Sequence, residues 1–383
     1  MKVELEKIYD ISSGGTPSKK CNDYYDDGKI KWVKTGDLKE KYLYDTNEYI
    51  TQKGLQNSSA KLYQPDTVLI AMYGATIGAT SILKSEACTN QACAAFVKND
   101  KVIPEYLYYF FKSHKRKFIK DAVGGAQPNI SAGYLKKVRI NLISIEDQRK
   151  IVENLGEIEE LICNEQEQVR QYDNLIKSRF VEMFGDENNS KQWNVVNVED
   201  VADVQVGVVI KPSQYYTDER NGIKAFRSLN IGAGYIKDSD WTYFTKEGHE
   251  KNSKSILRKN DLLIVRSGAP GTACVVTEEY AGCNAIDIII AHPNCELINS
   301  HYLCEYTNMP HGKKQIEEGT GGAAQQHFNV GKYNKLHLML PPMEVQDGFV
   351  KFKYQVDKLK AEEQRKLEKT QILFDSLMQQ YFG

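Results

Sequence analysis

The sequence predicts an α/β (α+β) protein of two homologous domains, each followed by a long helix, with the two helices paired as an antiparallel coiled coil. Three observations lead there. Short motifs recur in one order at a spacing near 195 residues. Each copy is followed by apolar residues at a 3.5-residue rhythm. The composition is that of an ordinary globular protein, with 41% hydrophobic and 26% charged residues. At roughly 100–200 residues per domain, 383 residues suggest about two to three domains.

Several classes are excluded early. With 50 Lys and Arg against 51 Asp and Glu, the chain does not hold nucleic acid by bulk positive charge. Residues 1–10 are charged from the start and have no apolar core of a targeting segment. The longest uncharged stretch, residues 67–83, falls short of the ~20 apolar residues a spanning helix needs. The eight cysteines form no Cys-x-x-Cys pair, so zinc-ribbon and thioredoxin-like sites lack support. The expectation is a cytoplasmic chain with reduced thiols and no membrane contact.

The repeat is read directly. Leu5-Glu6-Lys7-Ile8-Tyr9-Asp10-Ile11 resembles Val198-Glu199-Asp200-Val201-Ala202-Asp203-Val204 at an offset of 193, kept by Gly14 with Gly207 and by residues 30–35 with 223–228. Residues 66–70 match 261–265 at 195, and Gly74 to Gly78 matches Gly268 to Gly271 with one deletion. Gly124-Gly125-Ala126 matches Gly321-Gly322-Ala323, Asn129-Ile130 matches Asn329-Val330, and residues 142–148 match 340–346 at 198. So many matches in one order define a duplicated domain, far longer than the 20–50 residues of a solenoid repeat. The domains are placed at residues 1–143 and 188–340, and the helices at 144–187 and 341–383.

After the first copy, Ile151, Leu155, Ile158, Ile162, Val169, Tyr172 and Ile176 form the apolar seam, interrupted by Glu165 and Arg179. After the second, Phe349, Phe352, Val356, Leu359, Leu373 and Leu377 do so, weakened by Glu363, Lys366 and Thr370. Each helix of about 38 residues is about 57 Å long at 1.5 Å per residue. Met183-Phe184-Gly185 and Tyr381-Phe382-Gly383 close them equivalently. Within the copies, residues 67–70 and 261–265 read as buried strands. Residues 104–120 read as a helix with Leu107, Phe110, Phe111 and Phe118 inward, and residues 301–309 as its counterpart.

The motifs of common catalysts are missing. No P-loop, Rossmann fingerprint, Gly-x-Ser-x-Gly, His-Glu-x-x-His or kinase set occurs. Nor is there an Asn-Pro-Pro-aromatic tetrapeptide, the usual pocket for amino methylation of a base. The histidines lack metal-ligand spacing, and His311 and His327 read as solvated loop residues. No catalytic residue and no metal ligand is assigned.

Charge is distributed unevenly. Residues 1–143 carry a net +7, residues 144–187 a net −7, residues 188–340 a net −1 and residues 341–383 none. Lys115, Arg116 and Lys117 sit in the basic run of the first domain, which suits phosphate contact. The acidic helix would repel DNA and should face protein or solvent. The second domain would rely on local clusters such as Arg258-Lys259. Loop residues at equivalent places could read bases, since Arg and Lys suit guanine and Asn and Gln suit adenine. They are Thr16, Ser18, Lys19, Lys34, Thr35, Gln127 and Asn129 in the first copy. In the second they are Lys211, Ser213, Arg227, Ser228, Asn230, Arg266, Ser267, Gln325 and Gln326.

Taken together, Gly14-Gly15-Thr16-Pro17-Ser18, Gly124-Gly125-Ala126-Gln127-Pro128-Asn129-Ile130, Glu146-Asp147-Gln148-Arg149-Lys150-Ile151-Val152 and Leu340-Pro341-Pro342-Met343-Glu344-Val345-Gln346 resemble the specificity subunit of a type I restriction–modification system. The resemblance covers residues 5–382. It implies that each copy is a target-recognition domain reading one half of an asymmetric bipartite site in double-stranded DNA. It implies that the helices act as a spacer and dock two modification subunits, which methylate adenine at N6 with S-adenosylmethionine. Restriction subunits would add ATP- and Mg2+-dependent translocation and cleavage. This chain would carry no cofactor and no catalysis of its own. Ile143-Ser144 departs from the family's usual prolines, and Gly348 falls where an apolar helical run is usual, at a cost of about 1 kcal/mol. Two other classes remain open on sequence: a self-contained restriction or methylation enzyme with unrecognised motifs, and a scaffold that binds no DNA.

Overall fold

The structure, a computed structural model, describes residues 1–125, 128–320 and 328–383. It divides into two units, Met1–Gln166 with Gln364–Gly383, and Glu167–Glu363.

In unit 1 the strands are β1 (Lys2–Glu4), β2 (Ser12–Ser13), β3 (Ile30–Val33), β4 (Tyr42–Leu43), β5 (Tyr49–Ile50), β6 (Leu62–Tyr63), β7 (Val68–Ala71), β8 (Thr80–Leu83), β9 (Ala87–Thr89), β10 (Cys93–Phe96) and β11 (Arg139–Asn141). The helices are α1 (Gln52–Gln56), α2 (Pro104–Asp121), α3 (Ala132–Lys137) and the first part of α4 (Ile145–Phe184). The main sheet runs β2-β10-β7-β8-β4, a second runs β5-β3-β9-β6, and β1 pairs with β11. Strands β7, β8 and β10 are buried along their whole length, which is why β7 and β10 are continuous apolar runs, while buried Ser81 of β8 donates its hydroxyl to Glu40 O at 2.6 Å. Successive side chains serve opposite faces. Val68, Ile70, Ile82 and Phe96 join the α2 core, and Leu69, Ala71, Leu83 and Ala95 join Val33 and Leu38. Pro104 starts α2, and Tyr106, Leu107, Phe110, Phe111 and Phe118 are buried on it.

In unit 2 the strands are β12 (Val195–Asn197), β13 (Ala202–Val206), β14 (Tyr216–Thr217), β15 (Ile223–Phe226), β16 (Ile231–Gly232), β17 (Tyr235–Ile236), β18 (Thr242–Phe244), β19 (Leu262–Val265), β20 (Ala273–Val275), β21 (Asn284–Ala285), β22 (Ile288–Pro293) and β23 (His337–Met339). The helices are α5 (Lys246–Lys251), α6 (Ser300–Asn308), α7 (Pro310–Thr320), α8 (Val330–Asn334) and the first part of α9 (Met343–Phe382), with the last part of α4. The sheet β13-β22-β19-β20 repeats β2-β10-β7-β8, and β12-β23 repeats β1-β11. The place of α2 is taken by α6 and α7, because Pro310 holds Met309 extended and restarts the helix. His311, expected in a solvated loop, therefore lies in α7. It is buried and donates from Nε2 to Gly185 O at 3.0 Å. His327 lies outside the described residues.

Two sequence pairings are corrected by the hydrogen-bond register. Leu83 N donates to Thr67 O and Val276 N to Asp261 O, while Asp66 and Asn260 share left-handed φ angles of 67° and 70°. Asp66 therefore corresponds to Asn260, one residue from the sequence pairing. Likewise Ser131 caps α3 as Asn329 caps α8, so Asn129 is not the counterpart of Asn329.

Both long helices start at caps. Ser144 Oγ accepts from Asp147 N at 3.1 Å at the start of α4, and Pro341-Pro342 precede α9. Gly185, at φ 90°, ends α4 with its N–H on Val181 O. Helix α9 runs unbroken through Gly348, where an added Cβ would meet only Met183 Cε at 3.8 Å. In unit 1, Asn154 reaches Tyr381 and Glu165 reaches Thr370, so the two helices run antiparallel. In unit 2, Asp173 meets Lys360 and Phe180 meets Phe349, in the same sense.

Of the expected seam, Leu155, Ile162, Ile176, Phe349 and Val356 are buried. Ile151, Ile158, Tyr172, Phe352 and Leu377 pack partly buried against the cores, and Val169 is half-buried. Leu359 and Leu373 are corrections, being 49% and 50% exposed. The buried positions there are Glu363, Phe374, Met378 and Phe382. A straight helix drifts about 20° per heptad from a strict 3.5 repeat. Phe374 and Phe382 moreover pack on Tyr109 and Tyr106, at ring distances of 6.4 and 5.1 Å. The register at the end of α9 thus falls one residue later than the heptad count.

The repeated glutamine explains the motif at each helix start. Fully buried Gln148 accepts from Ile103 N at 2.9 Å and donates to Lys101 O and Ile143 O at 2.9 and 3.1 Å. Fully buried Gln346 accepts from Asn299 N at 2.8 Å and donates to Pro341 O at 2.8 Å. Gln148 ties the start of α4 to the loop before α2, and Gln346 ties the start of α9 to the loop before α6, each also holding the chain just upstream. Replacing either by Leu leaves these part-buried backbone groups without their partners, so Q148L and Q346L should each lose about 1–3 kcal/mol in urea unfolding. A loss below about 0.5 kcal/mol would mean those groups regain partners. Conversely, G348A should stabilise the protein by up to about 1 kcal/mol, since the helix gains propensity without a clash.

Candidate nucleic-acid interface

In each unit one short link joins the loops that the sequence singles out. In unit 1 it is residues 89–92, between β9 and β10. Gly14 N and Gly15 N both bond to Thr89, at 3.1 and 3.0 Å, which anchors the loop after β2. Asn90 N bonds to Val33 O, placing the turn that holds Lys34 and Thr35. Met72 N bonds to Ala92 O, placing the β7–β8 hairpin. In unit 2 the link is residues 285–287. Val208 N bonds to Ala285 O, Ile286 N to Phe226 O and Asp287 N to Val208 O. Gly14 and Gly207 are required by this close approach, since an added Cβ would meet Thr89 O at 1.9 Å and Ala285 O at 2.3 Å.

The hairpin tips are seated alike. Gly74 and Gly78 have φ of 67° and 78°, and Gly268 and Gly271 have 86° and 75°. Gly78 lies against the Lys115 side chain of α2, and Gly271 against Ile316 of α7. Gly74 N bonds to Pro128 O at 2.9 Å, and Phe328 N to Arg266 O at 3.0 Å, so Pro128 and Phe328 lie against the two hairpins. Lys313 donates to Pro270 O at 3.3 Å beneath the second tip, and burial pushes its ammonium below the ordinary lysine value.

The predicted residues divide by what their side chains are free to do. Thr16, Ser18, Lys19, Lys211 and Ser213 are exposed on the anchored loops, and Thr16 Oγ1 donates to Gln91 Oε1 at 2.5 Å. Thr35, Asn129, Ser228 and Ser267 are half-buried. Lys34 is paired with Glu48 and lies over Trp32, and Arg227 Nη2 donates to Asp240 O at 2.7 Å. These two cations therefore brace equivalent hairpins. Asn230 is a correction. It is fully buried, accepting from Arg227 N and donating to Ser239 O at 2.9 and 2.7 Å, so it has no face for a base. Its place in unit 1 is held by Asp37, which accepts from Lys34 N at 2.8 Å. Gln127, Gln325 and Gln326 lie outside the described residues.

Lys115, Arg116 and Lys117 are exposed but do not share a face. Successive helical residues lie about 100° apart, so a run of three cannot follow one phosphate rail. Lys115 lies at the hairpin tip. Arg116 lines a groove of about 590 Å³ with Glu159, Cys163, Gln371 and Asp375. Lys117 faces Lys2, Arg139 and Tyr381. Within the acidic start of α4, burial pushes the Glu159 carboxyl up, but Lys112 and Lys41 outweigh it and hold the group below its ordinary value. Sequence reasoning missed Tyr73, 44% exposed at the first tip, although its counterpart Ser267 was named. It also missed Gln91 and Asp287, which sit on the linking segments. Among the described residues, no group of three or more His, Cys, Asp or Glu could hold a metal ion, and no helix is long and apolar enough to cross a membrane.

Comparison with known proteins agrees with this duplicated arrangement. The family described as type I restriction modification DNA specificity domain matches residues 1–171 and 190–369. The chain is 24% identical over 372 residues to the type I restriction enzyme MjaIX specificity subunit of Methanocaldococcus jannaschii, covering 90% of this chain and 84% of that protein. It is 26% identical over 163 residues to the EcoR124I/EcoR124II specificity subunit of Escherichia coli, covering 41% of this chain and 40% of that protein. Among solved structures, a chain from a study of type I R-M complex assembly and conformational transition superposes with a TM-score of 0.65 at 16% identity, covering 100% of this chain and 97% of that one. The S subunit from M. genitalium gives 0.58 at 15% identity, covering 100% and 96%. With one matched region on each copy of the repeat, the chain belongs to the type I restriction modification DNA specificity family and carries two target-recognition domains.

Proposed function

We propose that this chain is the non-catalytic address of a type I restriction–modification complex in the cytoplasm, with each recognition domain reading one half of an asymmetric bipartite site in double-stranded DNA. The observation that carries this reading is a duplicated rim with unlike side chains. One geometry presents Thr16, Gln91 and Tyr73 in unit 1, and Val209, Asp287 and Ser267 in unit 2. Equal scaffolds with different edges suit two different half-sites. Helices α4 and α9 would serve as spacer and as the dock for two modification subunits. Those partners would hold S-adenosylmethionine and methylate adenine at N6. Flipping the adenine costs a few kcal/mol, which contacts on both half-sites offset. Restriction subunits, where present, would hold ATP and Mg2+.

The test is to co-express the chain with its modification subunits and map methylated adenines. One bipartite motif should appear. Exchanging residues 1–143 for another family member's first domain should change one half of it; a change in both halves would sink the two-reader scheme. Lys115 at the hairpin tip is the phosphate contact of unit 1. K115A should weaken binding to all duplexes alike and reduce the salt slope by about 1. K117A, on another face, should leave that slope unchanged. Equal losses from both variants would refute the placement.

A further inference from the structure

Arg266 is held more tightly than a phosphate contact requires. Its side chain is only 16% exposed. Nε donates to Phe328 O at 3.2 Å, and Nη1 is paired with Asp287 Oδ1. Among the described residues no hydrogen bond engages Nη2. Asp287 is itself brought into place at a cost. It adopts a left-handed φ of 48°, and its N–H is tied to Val208 O. Such strain persists only where the surroundings enforce it. The first copy shows that packing does not need the pair. At the equivalent end of β7 stands Met72, buried, and no ion pair is built there. Phosphate contacts position a protein and carry no sequence information, whereas a bidentate contact to a base edge calls for a set guanidinium plane.

The plane is fixed on two sides, by the Phe328 carbonyl and by Asp287. What these contacts leave is Nη2 and the second N–H of Nη1, donors of the kind that match O6 and N7 of guanine in the major groove. The surroundings suit an approaching base edge. Among the described residues nothing lies within 4 Å of a Cβ added at Gly268, and Val209 and Ile210, the latter 80% exposed, follow the anchored Val208. We propose that Arg266 reads a guanine in the half-site of the second domain, with Asp287 as the positioning residue that sets the guanidinium plane. This rests on the DNA-reading function proposed above.

The experiment uses the chain in complex with its modification subunits and a pool of duplexes randomised across both half-sites. The wild type should select a bipartite consensus with a guanine in the half-site assigned to residues 188–340. R266K keeps the charge without the fork, and R266M copies Met72. Each should lower the preference for that one guanine roughly 10–100-fold and leave the other half-site intact. D287N should lower the same preference and no other. Unchanged base preferences in R266K and R266M overturn the assignment. So does a uniform loss across all sequences accompanied by a lower melting temperature, which would mark the pair as structural. A wild type that selects no consensus would instead overturn the DNA-reading function itself.

Discussion

Phe382 against Tyr106 in unit 1, and Phe184 against Tyr302 in unit 2, are the contacts on which the two cores depend. Each α/β domain presents one apolar helix face that its own strands cannot cover. The start of the helix that follows the domain covers part of it, through Leu155 or Phe349. The rest is covered by the end of the other long helix. Burying one such aromatic side chain stabilises by roughly 1.5–3 kcal/mol. A domain lacking it would expose a greasy cleft. The arrangement also accounts for the polar residues in the helix seam. Glu165 and Glu363 sit at positions that would be apolar in a strong coiled coil. They are tolerated because the aromatic ends, rather than the seam, set the register.

Much of the architecture was legible because the repeat preserves residues with strict backbone demands. Gly14 and Gly207 mark the close approach to the linking segment, the paired hairpin glycines mark positive φ, and Gln148 and Gln346 mark the helix starts. The errors lie where such demands are weak. Asp66 matches Asp261 in sequence because both are Asp, but the conformation pairs Asp66 with Asn260. Leu359 and Leu373 fit a heptad that the helix leaves in order to follow aromatic partners. His311 reads as a loop residue because it lies between Pro310 and Gly312, but Pro310 starts a helix there.

The candidate interface was legible as loops but not as individual side chains. Gly-rich segments with polar neighbours located the three strips of each rim. Which polar groups are already spent depends on partners outside the local motif, 9 to 14 residues on in the chain. Asn230 is consumed by Ser239, Lys34 by Glu48 and Arg227 by Asp240. Nothing in local composition distinguishes these from Thr16 or Lys211, which stay exposed. Asp287 was invisible for the same reason. It lies 21 residues from Arg266 in the sequence and matters only because β22 begins beside the β19 hairpin.

The division of the chain has a bearing on how it is made. Unit 2 is one continuous segment, residues 167–363, and every residue it needs emerges from the ribosome together. Unit 1 is split, and its core lacks Phe374, Met378 and Phe382 until the last turns of α9 have been synthesised. Completion of the unit 1 core therefore waits for the end of α9, although N-terminal domains usually fold first. The first recognition domain to be translated is the last to close, and its basic surface stays on an unfinished core until α9 arrives.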